Sequence, residues 1–234
     1  MKRPPIIMRH PKPVVPRTLV ALFSAALAFL ILYTALISIL GSASMYEHIT
    51  DAVLQEQNSA VLDYITGPLF AQDDLTFLTA AERSHMTDVK RIFDAVFIIS
   101  LIAIGLMLGV LGVFSYNKWW AWLDELLGRS LRAAGWTILG LLVFLAGAAI
   151  LDFTKLWALF HLIVFPQGNW MFPVNSTLIT LYPNAFFQRF VMRWLVSVST
   201  FGAVAVILSY VLEHMRTHEA FFSEHHAKKK SRKR

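Results

Sequence analysis

Four stretches of the chain are apolar for long enough to cross a bilayer, and the polar positions lie mostly between or beyond them. A hydrocarbon core of about 30 Å takes roughly 20 helical residues at ~1.5 Å of rise each. Residues 18–41, 93–114, 133–150 and 191–212 meet or approach that length. A fifth run, residues 156–165, is too short to span and is interrupted by His161, which suits a helix lying at the interface. The pattern predicts an all-α membrane protein with four transmembrane helices. The two long segments 42–92 and 151–190 fall on one side and would build a compact extracytoplasmic cap.

Local signals refine this frame. Five prolines make residues 1–17 an extended lead-in. Mixed apolar spacing over 45–62 predicts a short amphipathic helix that Gly67-Pro68 ends. Thr79-Ala80-Ala81-Glu82 is a capping-box pattern, and no Gly or Pro follows until Gly105. One helix is therefore expected from about Thr79 through the second span. It would place His85, eight residues before Phe93, roughly 12 Å beyond that span's start. The 115–132 segment, with Trp119, Trp120 and Trp122, reads as an amphipathic interfacial helix. Pro166, Gly168, Pro173 and Pro183 divide the second outer segment into turns rather than one long helix.

Composition and charge settle the side. With 56% hydrophobic and 15% charged residues, the chain is too apolar for a soluble domain of 234 residues. Fifteen of the 21 Lys/Arg lie in the 1–17 tail, the 115–132 segment and the 213–234 tail. By the positive-inside bias those parts are cytoplasmic, and the segments 42–92 and 151–190 are outside. The first apolar block exceeds the 7–15 residues of a secretory h-region, so an uncleaved anchor is expected. The chain has no cysteine, hence no disulfide brace and no thiol nucleophile. The basic ending from Lys228 to Arg234 reads as a grip on anionic membrane lipid, at about 1 kcal/mol per residue, rather than a nucleic-acid site. Its neighbours His214, His218, His225 and His226 belong to a solvated, irregular tail.

Two histidines stand out on the outer side. His85 has Glu82 at i−3 and Asp88 at i+3 on its helix, so it is either an acid–base group oriented by them or an exposed polar residue. In the second case Glu82 is only the capping partner of Thr79. His161 lies among Trp157, Phe160 and Phe165, where an imidazole costs desolvation unless it is used. His48, the third outer histidine, reads as structural. Glu82-x-x-His85 also has the spacing of carboxylate-bridged metal sites, but it occurs once and lacks companion carboxylates, so no metal is expected. There is no Gly-x-Ser-x-Gly elbow and no phosphate-cradling loop. The aromatics of the second segment are belt residues or the lining of a pocket for an acyl group.

Three blocks then carry a resemblance: Glu82-Arg83-Ser84-His85-Met86-x-Asp88-Val89-Lys90; Phe160-His161-x-x-x-Phe165-x-x-x-Asn169-Trp170-x-Phe172; and Leu178-Ile179-x-x-Tyr182-Pro183-x-x-Phe186-Phe187. In this order, around spans two and three, they resemble the bacterial lipoprotein intramolecular transacylase (Lit) family. Membership implies a multi-pass enzyme of the bacterial cytoplasmic membrane, working at the outer leaflet without a cofactor. It moves the sn-2 acyl chain of a diacylglyceryl lipoprotein to the α-amine of the N-terminal cysteine, leaving a lyso-form lipoprotein. The resemblance implies His85 and His161 as the acid–base pair; Glu82 and Asp88, on the same helix face as His85, are the expected supporting residues. Asn169, Trp170, Phe172, Tyr182, Phe160 and Phe165 are expected to bind substrate or oxyanion, and proximity in sequence alone suggests Asn169 or Tyr182 as the donor to the oxyanion. Where an acidic residue is expected before the Leu-Ile pair, this chain has Asn175-Ser176-Thr177. The rival readings are a non-catalytic scaffold or transporter accessory, and a small b-type cytochrome using His85 and His161 as ligands.

Overall fold

The computed structural model describes residues 14–72 and 74–231, with side chains described as far as residue 218. The proline-rich start up to residue 13 and the side chains of the basic ending lie outside the described residues. Among the described residues six α-helices follow in order: α1 (Arg17–Leu40), α2 (Ala52–Thr66), α3 (Ala80–Tyr116), α4 (Trp120–Val164), α5 (Thr177–Leu181) and α6 (Asn184–Ser231). A single 3-10 turn, Ala43–Met45, leads from α1 towards α2. The helices α1, α3, α4 and α6 are each long and apolar enough to cross a membrane. Their outer faces expose Leu101, Ile102, Leu106, Val143, Phe144 and Ile207, side chains that water would not tolerate in such number and that lipid accommodates.

The bundle is knit mainly by α4 against α6, with α1 packed on both and α3 on α1. Ala35, Ile138, Leu142, Leu195 and Val198 form its middle. The α4–α6 crossing is close because of Gly135: a Cβ there would lie 2.6 Å from Val206 Cγ2 and 2.8 Å from the Gly202 carbonyl oxygen. The second contact is backbone and has little room to yield. Gly135→Ala is therefore expected to destabilise the bundle by about 1–3 kcal/mol through overpacking. Thermal unfolding in detergent reads this directly, and an unchanged midpoint would show that the crossing has room for a methyl group.

The caps explain where helices begin. Thr79 Oγ1 accepts from the Glu82 N–H, and Glu82 Oε2 accepts from the Thr79 N–H at 2.9 Å, the reciprocal box expected from the sequence. The 37 residues of α3 rise about 55 Å, well beyond a ~30 Å hydrocarbon core, so its first turns stand proud of the bundle. Asp51 caps α2 by accepting from the Val53 and Leu54 N–H groups. The helix expected over 45–62 accordingly starts later and ends at Thr66.

Two helices run differently from the hydropathy blocks. The 115–132 connection is a turn at Asn117–Trp119, and the helix placed there is the first part of α4. The helix that carries the third span also does not end near residue 150. The helix bends at Asp152 (φ −163°, ψ 92°), whose Oδ1 accepts from the Lys155 N–H at 3.0 Å, and continues to Val164. Asp152 is thus an N-cap inside α4: one helix stops and a second starts on the same residue. The 213–234 tail, expected to be irregular, continues as α6 through Ser231.

At one end of the bundle, α2, the first turns of α3 and α5 enclose a second core of Val61, Tyr64, Leu75, Met86, Leu178 and Leu181. Glu82 Oε1 binds the Leu178 N–H at 2.9 Å and so fastens α5 to α3. Below it a buried ion pair, Lys90 Nζ to Asp94 Oδ1 at 2.7 Å, leaves only 3% and 6% of the two side chains exposed. Lys90 also donates to the Gly67 carbonyl, and Asp94 Oδ2 accepts from the Phe70 N–H at 3.0 Å. That last bond holds Phe70 in the left-handed region (φ 59°).

Candidate functional site

Beside this core, two helix segments bring His85 and His161 together. His85 lies in the protruding turns of α3, held by the capping box and by Met86, which is buried in the core. His161 lies on the leg of α4 beyond Asp152, aimed by the bend there. Their ring centroids are 6.2 Å apart, with planes inclined by 26°.

Aromatic side chains close around the pair. Phe165 lies 4.6 Å from His85 and 5.5 Å from His161, centroid to centroid. Phe172 is 5.7 Å from His85. Phe160 and Trp157 meet His161 edge-on, at 5.1 and 4.5 Å, and Trp170 lies tilted beside it at 4.7 Å. Gly168 makes the turn that returns the chain to this cage: its φ of 76° is one that L side chains rarely adopt. The following residues Asn169 and Trp170 then face α3 and α4.

Asp88 fixes that turn. Its Oδ2 accepts from Gln167 Nε2 at 2.6 Å and Asn169 Nδ2 at 2.8 Å, while Arg91 holds Oδ1. Asp88 therefore acts on the loop that carries Asn169, and reaches His85 by its charge rather than by a hydrogen bond. Glu82 does not orient His85, which corrects the first reading of it. Both its oxygens are spent on Thr79 and Leu178. Burial pushes the Glu82 carboxyl up, but those hydrogen bonds outweigh it and hold it below the ordinary value.

Both histidines lie outside the apolar spans, and both are held neutral. Burial, then the neighbouring His161, lowers the His85 imidazole from 6.5 to about 4, with Asn169 and Asp88 pulling the other way. Burial likewise lowers His161, against the pull of the Trp157 carbonyl. His161 Nδ1 lies 2.9 Å from that carbonyl oxygen, which only accepts, so Nδ1 carries the proton and Nε2 keeps its lone pair.

The expected oxyanion donors are also corrected. Tyr182 gives its hydroxyl proton to Asn58 Oδ1 at 2.9 Å and packs with Phe186 and Phe187, away from the cage. Both amide hydrogens of Asn169 are used, on Asp88 Oδ2 and Ser84 Oγ. Sequence reasoning passed over Ser84, Gln167 and Asn58, whose partners lie too far away along the chain to leave a local signal. Trp157 had one, since i−4 from His161 shares its helix face. His48 sits apart, between the Leu181 carbonyl and Arg189.

These features define a multi-pass helical membrane protein that holds two uncharged imidazoles in an aromatic cage at one end of its bundle. Residues 15–187 match the family described as lipoprotein intramolecular transacylase Lit, and the chain belongs to that family. The fold is similar to that of the membrane integral lipoprotein intramolecular transacylase Lit from Bacillus cereus. The TM-score is 0.72 at 18% identity, over 86% of this chain and 97% of that one. A substituted form of the same protein gives a TM-score of 0.66, also at 18% identity, over 87% of this chain and 94% of that one. An uncharacterized protein of Aquifex aeolicus is 32% identical over 112 residues, which is 46% of this chain and 45% of that protein's length.

Proposed function

We propose that this protein catalyses intramolecular acyl transfer in a diacylglyceryl lipoprotein, from the sn-2 position of the glyceryl group to the α-amine of the N-terminal cysteine. The observation that carries this reading is the neutral histidine pair, 6.2 Å between ring centroids, inside an apolar aromatic cage. Family membership supports the substrate class, and the Lys/Arg bias supports a cap on the outer side of a bacterial cytoplasmic membrane. The basic tail then meets anionic lipid on the inner side.

Amine and ester belong to one molecule, so the protein's main work is to fold the substrate and hold the two groups together. Well-oriented intramolecular reactions gain on the order of 7–11 kcal/mol in this way. The amine nitrogen attacks the ester carbonyl carbon, forming the C–N bond and moving the carbonyl electrons onto oxygen. His161 Nε2 takes the proton that the nitrogen sheds. Collapse re-forms the carbonyl and breaks the C–O bond to glycerol; the proton passes from His161 to His85 and on to the departing oxygen, so both rings end neutral. The two rings share one proton during the cycle: charge on either disfavours charge on the other at this separation. No acyl-enzyme is needed. Phe160, Phe165, Phe172 and Trp157 supply apolar walls for the acyl chain and exclude water that would hydrolyse the ester.

The test is tandem mass spectrometry of a lipoprotein N-terminal peptide from a host with and without this gene. The reaction conserves total mass, so fragmentation must place the acyl group. With the gene, one chain is expected on the cysteine amine and one on glycerol. A free amine with both chains on glycerol in both hosts overturns the proposal.

A further inference from the structure

We infer that the indole N–H of Trp170 is the donor that receives the oxyanion, which makes Trp170 a third catalytic residue. The inference rests on the transacylation reading above and deepens it. Among the described residues, four buried side-chain polar atoms have no hydrogen-bond partner: Gln57 Oε1, His85 Nδ1, Asn169 Oδ1 and Trp170 Nε1. Three of the four belong to the histidine cage. An indole nitrogen is a donor and nothing else, so Trp170 Nε1 requires an oxygen. The other side chains expected to serve an oxyanion have already given their hydrogens away, Tyr182 to Asn58 and Asn169 to Asp88 and Ser84.

Position agrees with this chemistry. The Trp170 ring lies 4.7 Å from His161, so an ester placed for proton exchange with His161 has its carbonyl oxygen within reach of the indole edge. Asn169, the residue before it, bears on His85 through its side chain, which pulls the His85 pKa up against burial, so neighbouring residues of one turn address the two rings. A neutral carbonyl gains little from the N–H and the tetrahedral oxyanion gains much, so the contact favours the transition state over the ground state.

Trp170→Phe keeps the ring and removes the N–H. Its kcat on a diacylglyceryl lipopeptide is expected to fall about 10²–10³-fold, with KM within a few-fold of wild type. The affinity for a lipopeptide carrying a phosphonate in place of the sn-2 ester should fall by a similar factor. Affinity for the corresponding sn-2 ether, which has no such oxygen, should stay unchanged. Turnover of W170F within about threefold of wild type overturns the donor role and leaves the transacylation reading standing. Wild-type protein that converts no lipopeptide overturns both. If W170F folds poorly, the indole 15N–H resonance of Trp170 in wild type gives the answer. A downfield move on adding the phosphonate supports the contact, and an unmoved resonance overturns it.

Discussion

Replacing His161 with alanine is expected to lower lyso-form production by about 10²–10⁴-fold, and His85→Ala by a similar factor. Each variant should keep wild-type helicity and thermal midpoint, since neither ring carries the packing of the bundle. The double variant should be no worse than either single one, because the rings exchange one proton and neither completes the cycle alone. The assay is conversion of a diacylglyceryl lipopeptide by purified protein in bicelles. Full activity in either single variant would remove the acid–base pair from the mechanism. The same pair sets the response to pH. His85 titrates at about 4 rather than 6.5, so it stays neutral well into the acid range. Its ring 15N shifts should therefore move near pH 4, and a midpoint at the ordinary histidine value would contradict a desolvated pair. The unfolded chain takes up this proton from about 6.5 downward and the folded chain only near 4, so stability falls on acidification across that window and levels off below it.

Asp94→Ala is expected to cost about 3–5 kcal/mol, the largest stability loss we anticipate from a single substitution. Lys90 is 2% exposed, and without its partner the ammonium would stay buried beside only the Gly67 carbonyl. The left-handed Phe70 would lose the acceptor of its N–H as well. Replacing both charges, Lys90→Met with Asp94→Leu, is expected to recover most of the loss by removing the uncompensated charge. Thermal unfolding of the three proteins separates the cases. A double variant as unstable as Asp94→Ala would show that the loop bonds, not the charges, hold this corner.

What the sequence made legible was what short-range rules govern. The Thr79–Glu82 box is four residues long and needs no tertiary partner, so the start of α3 could be placed within a residue. Apolar length placed the four membrane helices for the same reason. Asp152 misled because hydropathy sees a span running out of apolar residues, while the backbone sees an Asp-x-x-Lys cap that restarts the helix at once. His85 and His161 were expected on one side of the membrane, and how closely their rings approach depends on that restart. Donor assignments failed for a different reason. Whether Asn169 or Tyr182 has a hydrogen to spare is decided by Asp88 and Asn58, 81 and 124 residues away along the chain. Local pattern carries no trace of such pairings.

The two imidazoles are unequally attached to the membrane helices. His85 rides an unjointed rod, so each residue added between it and the bilayer would swing its ring by about 100° and lift it ~1.5 Å. His161 stands beyond a swivel, where a gain or loss in the helix beneath can be taken up before it reaches the ring. The register of the reacting pair is therefore written in the length of α3, and α4 retains freedom to vary.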